Sequence, residues 1–303
     1  MNKVAIIGVG HVGSHVAQSL LNLDICRELV LIDINERKAL SHAIDLGDMS
    51  PYLATDCDVY MGDYCDLDDA DIVIISACSL IFDEDRLREL KGTLTVMDDI
   101  VEKLSTTKFN GIILSISNPC DLIAQYVQKK TGLNVIGTGT MLDSARMKTR
   151  LARALNISSK SVNGYVLGEH GDSQTVPKSL ITIGSLSLDM YLKNFPEVEC
   201  NITDIAENTC EAGWDIVMGK GSTEFGIGAA TAFLAKAILN DEKKVLPCSS
   251  FMEKYGVYAS YPCLIGKNGV EKQLSLDLAP DELSAFENSC NVLKDHAQRF
   301  NII

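Results

Sequence analysis

Short runs of β-branched and aliphatic residues alternate with longer stretches of helical period over the first 137 residues. Val4 to Ile7, Leu29 to Asp33, Ile72 to Ala77, Ile112 to Ile116 and Val135 to Gly137 are near-continuous apolar runs, the mark of strands buried on both faces. Val59 and Tyr60 signal the start of one more. Between them, Val12 to Leu21, Glu36 to Leu46, Arg86 to Leu104 and Asp121 to Lys130 place apolar residues at three- and four-residue steps and predict helices. Strand and helix in this alternation predict an α/β, doubly wound parallel sheet covered on both faces.

Beyond Asp143 the texture changes. A helix runs through Ala154, a polar stretch follows, and Gly226 to Leu239 reads as a helix whose small residues permit close packing. Val257 to Leu264 and Val270 to Leu276 approach period two and flank Lys267-Asn268-Gly269, where Asn-Gly is a strong hairpin signal. The chain closes on Pro280 at a helix start, with Leu283, Phe286, Cys290, Leu293, Ala297 and Phe300 along one face. The division predicts two domains: residues 1–142 with the parallel sheet, and residues 143–303 as an α+β unit with antiparallel strands. No internal repeat or low-complexity linker interrupts them.

Composition narrows the functions. A chain of 303 residues, 46% hydrophobic and 22% charged, has the values of a globular protein that needs no disulfide or metal staple. A net charge of −14 repels phosphate polymers and anionic headgroups, which argues against nucleic acid and membrane partners. An anionic substrate must then be held by individual arginines or lysines. The ten cysteines form no CxxC pair and no Cys/His cluster at metal spacing, so reduced thiols and no metal are expected. The apolar run at the N-terminus is too short for a secretory leader, and no segment approaches the roughly 20 apolar residues that span a bilayer. A cytoplasmic location is the expectation.

Gly8-Val9-Gly10-His11-Val12-Gly13 follows the first strand and opens the first helix, and Asp33 ends the second strand twenty residues after Gly13. In that context the glycines let backbone approach a pyrophosphate at the positive end of a helix, and the carboxylate binds a ribose diol. The first domain is therefore expected to be a Rossmann-type dinucleotide site. Asp33 repels a 2′-phosphate and no arginine follows it directly, although Arg37 lies a turn further, so NAD is expected rather than NADP.

Gly168-Glu169-His170-Gly171-Asp172-Ser173 is a polar loop holding one of only five histidines, and imidazole titrates where acid–base work is done. On its own it reads equally as an exposed loop histidine. Gly137-Thr138-Gly139-Thr140-Met141-Leu142-Asp143-Ser144-Ala145-Arg146 sets a carboxylate and a guanidinium three residues apart at a helix start, which also fits a simple intrahelical ion pair.

These segments, with DRLREL at Asp85 to Leu90, SNPCD at Ser117 to Asp121 and GKGSTEFG at Gly219 to Gly226, resemble the L-lactate and malate dehydrogenase superfamily from end to end, and most its L-2-hydroxyisocaproate dehydrogenase branch. The resemblance implies an NAD-dependent oxidoreductase interconverting a 2-hydroxy acid and its 2-oxo acid. It implies His170 as acid–base group, Asp143 as the carboxylate that orients it, and Arg146 as the fork that binds the substrate carboxylate. It further implies Arg86 as the group that polarises the carbonyl, a closing loop from Leu80 to Arg86, Asn118 orienting carbonyl and nicotinamide, and Thr223 bordering the substrate. A homo-oligomer, tetramer or dimer, is the family's usual assembly.

In such enzymes the closing loop sets specificity. Ser79-Leu80-Ile81-Phe82-Asp83-Glu84-Asp85 offers no cation for a second carboxylate, which disfavours malate, and Leu80 to Phe82 suggest an apolar pocket of the hydroxyisocaproate type. L-Lactate dehydrogenase is the runner-up. From other classes, an NAD-dependent glycoside hydrolase lacks its metal-binding Cys/His pair here, and a catalytically silent relative would have no use for His170, Asp143, Arg146 and Arg86 together. Bisphosphate-activated relatives carry a basic pair where Lys148 and Asn163 stand, so no such activation is expected. Cys78 and Cys120 read as small apolar residues rather than redox sensors.

Overall fold

The computed structural model describes residues 2–79 and 86–303, and for residues 86–89 only the backbone. The elements run β1 (Lys3–Ile7), α1 (His11–Asn22), β2 (Glu28–Ile32), α2 (Glu36–Gly47), β3 (Asp58–Met61), β4 (Ile72–Ile75), α3 (Arg86–Leu104), β5 (Ile112–Ser115), α4 (Cys120–Thr131) and β6 (Asn134–Gly137). After them come α5 (Met141–Ala154), β7 (Val162–Asn163), β8 (Thr182–Ile183), β9 (Leu186–Ser187), α6 (Leu188–Asn194), α7 (Ile202–Lys220) and α8 (Phe225–Leu239). Strands β10 (Lys244–Met252), β11 (Val257–Gly266) and β12 (Gly269–Gln273), then α9 (Pro280–Arg299), complete the chain.

The first six strands are parallel in the order β3-β2-β1-β4-β5-β6, which reverses between β1 and β4. Ligands bind sheets of this kind at the carboxyl ends of the strands beside such a reversal. Because the inner strands are covered on both sides, successive residues enter different cores. Val4 and Ile6 pack under α1 and α8 with Leu29, Leu31 and Ala235, whereas Ala5 and Ile7 join Val73, Ile113, Phe286 and Leu293 beneath α4 and α9. That two-sided burial is why these strands read as unbroken apolar runs. A third core, around Met147, Leu151, Val166 and Ile181, joins α5 to the small β7-β8-β9 sheet.

The antiparallel strands occur as predicted, but they do not form a sheet of their own. β10 pairs with β6 at Ser249 opposite Gly137, and β11 and β12 continue outward, so nine strands make one sheet. The stretch read as polar contains α7, a nineteen-residue helix with only Thr209 and Ala212 buried, which explains its weak apolar signal.

Candidate active site

Gly8, with φ of +92°, turns the chain out of β1 so closely that a Cβ there would lie 2.7 Å from the backbone nitrogen of Ala77 beyond β4. A Cβ on Gly13 would lie 2.0 Å from the Gly8 carbonyl, so only glycine lets α1 start against its own loop. At Gly10 the nearest atom to such a Cβ is Lys38 Nζ at 3.9 Å, and no side chain caps the first N–H groups of α1, which His11 and Val12 begin. An open flank beside a helix N-terminus suits a pyrophosphate. Asp33, just past β2, accepts the Val9 N–H (2.9 Å) through Oδ2 and the Asn35 N–H (2.9 Å) through Oδ1. Lys38 Nζ stands 3.3 Å from Oδ2. The cation that reaches Asp33 is thus Lys38 rather than Arg37, which sequence spacing singles out.

Beside this loop is a cavity of about 210 Å³, into whose lining five elements or loops bring Val12, Asn118, Asp143, Arg146, His170 and Thr223 together. Asn118 follows β5, Asp143 and Arg146 stand on the first two turns of α5, and Thr223 lies between α7 and α8. His170 sits on the loop after β7, which is anchored by two backbone hydrogen bonds between Gly168 and Ser260 of β11 (2.9 and 2.8 Å). The antiparallel extension of the sheet therefore holds the histidine loop in place.

His170 Nδ1 is 2.6 Å from Asp143 Oδ2, and Arg146 Nη1 donates to Asp143 Oδ1 at 3.0 Å. Asp143 is 2% exposed. Burial pulls its carboxyl upward, but the charges of His170 and Arg146 outweigh burial and hold it below the usual carboxylate range. The Asp143 carboxylate in turn raises the His170 imidazole above its ordinary value, against the opposing pull of burial. His170 Nε2 makes no hydrogen bond to the described residues while its ring lines the cavity.

Part of the remaining wall comes from residues that sequence patterning does not reveal. Gly213, Trp214 and Val217 of α7, and Ile227 of α8, form an apolar side, and Gln174 adds an amide. Most of them lie in the stretch that reads as polar and hides its helix. Arg146 is the only arginine or lysine among the described lining residues. Cys120 is buried there, with its thiol pushed up to about 12 by burial, which fits an inert apolar residue. Leu80 lies outside the described residues, and so do the closing-loop segment 80–85 and the side chain of Arg86, which begins α3.

Residues 2–136 match the family model described as lactate/malate dehydrogenase, NAD binding domain, and residues 140–301 match the one described as lactate/malate dehydrogenase, alpha/beta C-terminal domain. An L-lactate dehydrogenase of Fusobacterium nucleatum is 41% identical, covering 98% of this chain and 96% of its own. An L-lactate dehydrogenase 3 of Bacillus cereus is 40% identical, covering 97% and 96%. Among solved structures, a lactate dehydrogenase from a Medee basin deep-sea metagenome library superposes with a TM-score of 0.94 at 33% identity over 98% of both chains. A minor L-lactate dehydrogenase from Enterococcus mundtii gives 0.94 at 34%, again over 98% of both.

Proposed function

Because the chain belongs to the lactate/malate dehydrogenase family, and is thereby an NAD-dependent oxidoreductase of 2-hydroxy acids, we propose that its reaction is the interconversion of pyruvate and L-lactate. The observation that carries this reading is the convergence of His170, Asp143 and Arg146 on one small cavity beside the glycine loop. NAD, when bound, supplies the hydride acceptor. In oxidation His170 Nε2 takes the hydroxyl proton, and in reduction it returns that proton to the oxo oxygen. Asp143 holds the other ring nitrogen, fixing the tautomer and stabilising imidazolium. Arg146, with Nη1 tied to Asp143, presents its remaining N–H groups to the substrate carboxylate. Arg86 polarises the carbonyl, and Asn118 and Thr223 border the reacting carbon. Gly8, Gly10, His11, Val12, Gly13 and Asp33 hold the dinucleotide.

Among the described lining residues Arg146 is the single Arg or Lys, which leaves no partner there for the second carboxylate of malate. The relatives named as L-lactate dehydrogenases favour pyruvate over the 2-oxoisocaproate suggested by Leu80. One observation favours a second reading with a larger side chain. Gly213 lines the cavity where a Cβ would stand 3.7 Å from Arg146 Nη1, so its absence leaves room beside the carboxylate-binding fork.

The test is NADH oxidation with pyruvate, 2-oxoisovalerate, 2-oxoisocaproate and oxaloacetate, compared by kcat/KM. Pyruvate at the head of the series is the expected result; 2-oxoisocaproate at the head replaces this reading with the second.

The same proposal divides the labour between residues 1–142, for the dinucleotide, and 143–303, for the substrate. It includes a cytoplasmic enzyme acting as a homo-oligomer. Exposed Leu40 and Ile44 on α2, Met218 on α7 and Phe225 on α8 are the apolar surface available for assembly. No helix among the described residues is long and apolar enough to cross a membrane.

A further inference from the structure

Behind the His170 loop lies a carboxylate for which the proton transfer above has no use. Asp121, in the first turn of α4, is 2% exposed. Its Oδ2 accepts the backbone N–H of His170 at 2.8 Å, and its Oδ1 has no hydrogen-bond partner among the described residues. Ser249 of β10 is the hydroxyl on that side; it makes no well-aligned hydrogen bond, but it lies close enough to Asp121 to favour the charged carboxylate. An ionised carboxylate this deep and this sparsely bonded is costly unless its charge is used.

The Ser249 hydroxyl, the backbone N–H and imidazole of His170, and the positive end of α4 offset part of that cost. Holding the loop does not by itself require a charge at this position. Ser289 of α9 accepts the Glu169 N–H at 2.8 Å and meets the Ser173 hydroxyl at 2.9 Å, and Ser260 of β11 binds Gly168 on both sides. A neutral acceptor would serve the His170 N–H equally well.

We propose that Asp121 is a positioning residue that acts through its charge, a second carboxylate that, together with Asp143, keeps His170 in its imidazolium form. The charged groups that act on His170 are Asp143 and Arg146 of α5 and Asp121 of α4; Glu169 and Asp172 are its neighbours along the loop, and Cys210 of α7 lines the same cavity. The groups facing Asp121 are His170 and Glu169 from the loop, Cys120 on its own helix, Ser249 of β10 and Cys290 of α9. Arg146 opposes the imidazolium, and the Asp121 charge acts against it. Burial pushes the Asp121 carboxyl up to about 6, so it carries its charge throughout the neutral and alkaline range in which His170 loses its proton.

This inference rests on His170 being the acid–base group, and the experiment separates the two. D121N retains an oxygen acceptor for the His170 N–H and removes only the charge. The pH profile of kcat/KM for pyruvate reduction is recorded for wild type, D121N and H170N, with thermal stability and NADH affinity as controls. Reduction needs imidazolium, so the alkaline limb reports loss of the His170 proton. In D121N that limb should move to lower pH by about 0.5–1 unit, with NADH affinity unchanged.

An unmoved limb overturns the proposal, even if the rate falls, because a packing role alone would do that. Turnover that survives in H170N sinks the reading of His170 and the proposal with it. In the unmodified protein, NMR titration of the His170 ring should show a second inflection near pH 6, where Asp121 ionises. A one-step curve counts against the coupling whether or not D121N folds.

Discussion

His170 Nδ1 and Asp143 Oδ2 lie 2.6 Å apart, across 27 residues of sequence. The contact joins a loop to a helix N-terminus and commits one ring nitrogen, leaving Nε2 as the only one available for proton transfer. Replacing Asp143 by Asn keeps the shape but lets the ring adopt the wrong tautomer, and it removes the charge that raises the His170 pKa. D143N should therefore lower kcat for pyruvate reduction about 10²–10⁴-fold and shift its alkaline limb to lower pH, with NADH binding retained. Stability follows the same signs. Raised His170 contributes below its unfolded pKa and loses that contribution as pH rises through its folded value. Lowered Asp143 contributes above its unfolded pKa and loses it as pH falls through its folded value. Thermal melts across pH, comparing wild type with D143N, would reveal a different order.

Arg146 is fastened to Asp143 through Nη1, so its plane is set before substrate arrives. R146K loses the fork while keeping a charge. KM for pyruvate should rise about 100-fold, equivalent to about 3 kcal/mol, with the dissociation constant for NADH unchanged. A KM within threefold of wild type would dissociate Arg146 from carboxylate binding.

Asp33 is bonded to the Val9 and Asn35 N–H groups with Lys38 beside it, so removal of its charge leaves a cation at the ribose position. D33S should raise the ratio of NADPH to NADH efficiency about tenfold or more, mostly by loss of the ribose contact with NADH. The further change K38Q should reverse part of the gain in NADPH use. Equal NADPH efficiency in D33S and the double variant would remove Lys38 from cofactor discrimination.

Gly213 gives the pocket room beside Arg146. G213V should leave pyruvate nearly unaffected and reduce kcat/KM for 2-oxoisocaproate about tenfold, the size of effect that a few methyl groups produce in an apolar pocket. Loss toward both substrates alike would mean that the side chain disturbs Arg146 instead.

Fructose 1,6-bisphosphate should not lower the half-saturation for pyruvate. Lys148 stands over the Tyr165 ring at 5.3 Å and is half-buried, and burial pulls its ammonium below the ordinary range, while Asn163 on β7 carries no charge. Phosphate recognition by one desolvated lysine is weak. An activity titration at fixed substrate measures this directly.

What is legible in the chain divides by the range of the interactions involved. The glycine loop, Asp33 and the Asp143-Arg146 pair are legible because each is confined to one strand–turn–helix or one helix turn, where spacing dictates geometry. The inner strands are legible because two-sided burial leaves an unbroken apolar run. Gly213 and Trp214 are not, since they stand on α7, a helix with few buried positions, and face the cavity only because α5 packs beside it. Lys38 escapes notice because which cation reaches Asp33 depends on how α2 leaves its cap, and Asn35 accepts the Lys38 N–H there. Leu80 and the side chain of Arg86 lie outside the described residues, and their expected roles rest on the family resemblance.

The meeting of Ser249 with Gly137 has a further consequence for how the molecule holds together. The two family-model matches, residues 2–136 and 140–301, part between β6 and α5, yet the hydrogen-bond ladder runs across that division. Severed there, the first half would present β6 as a bare, apolar edge of the kind that recruits other chains. The second half would lose the platform on which Ser260 carries the histidine loop. The two halves should therefore melt together, and exchanging either for a foreign counterpart requires matching this seam as well as the cavity.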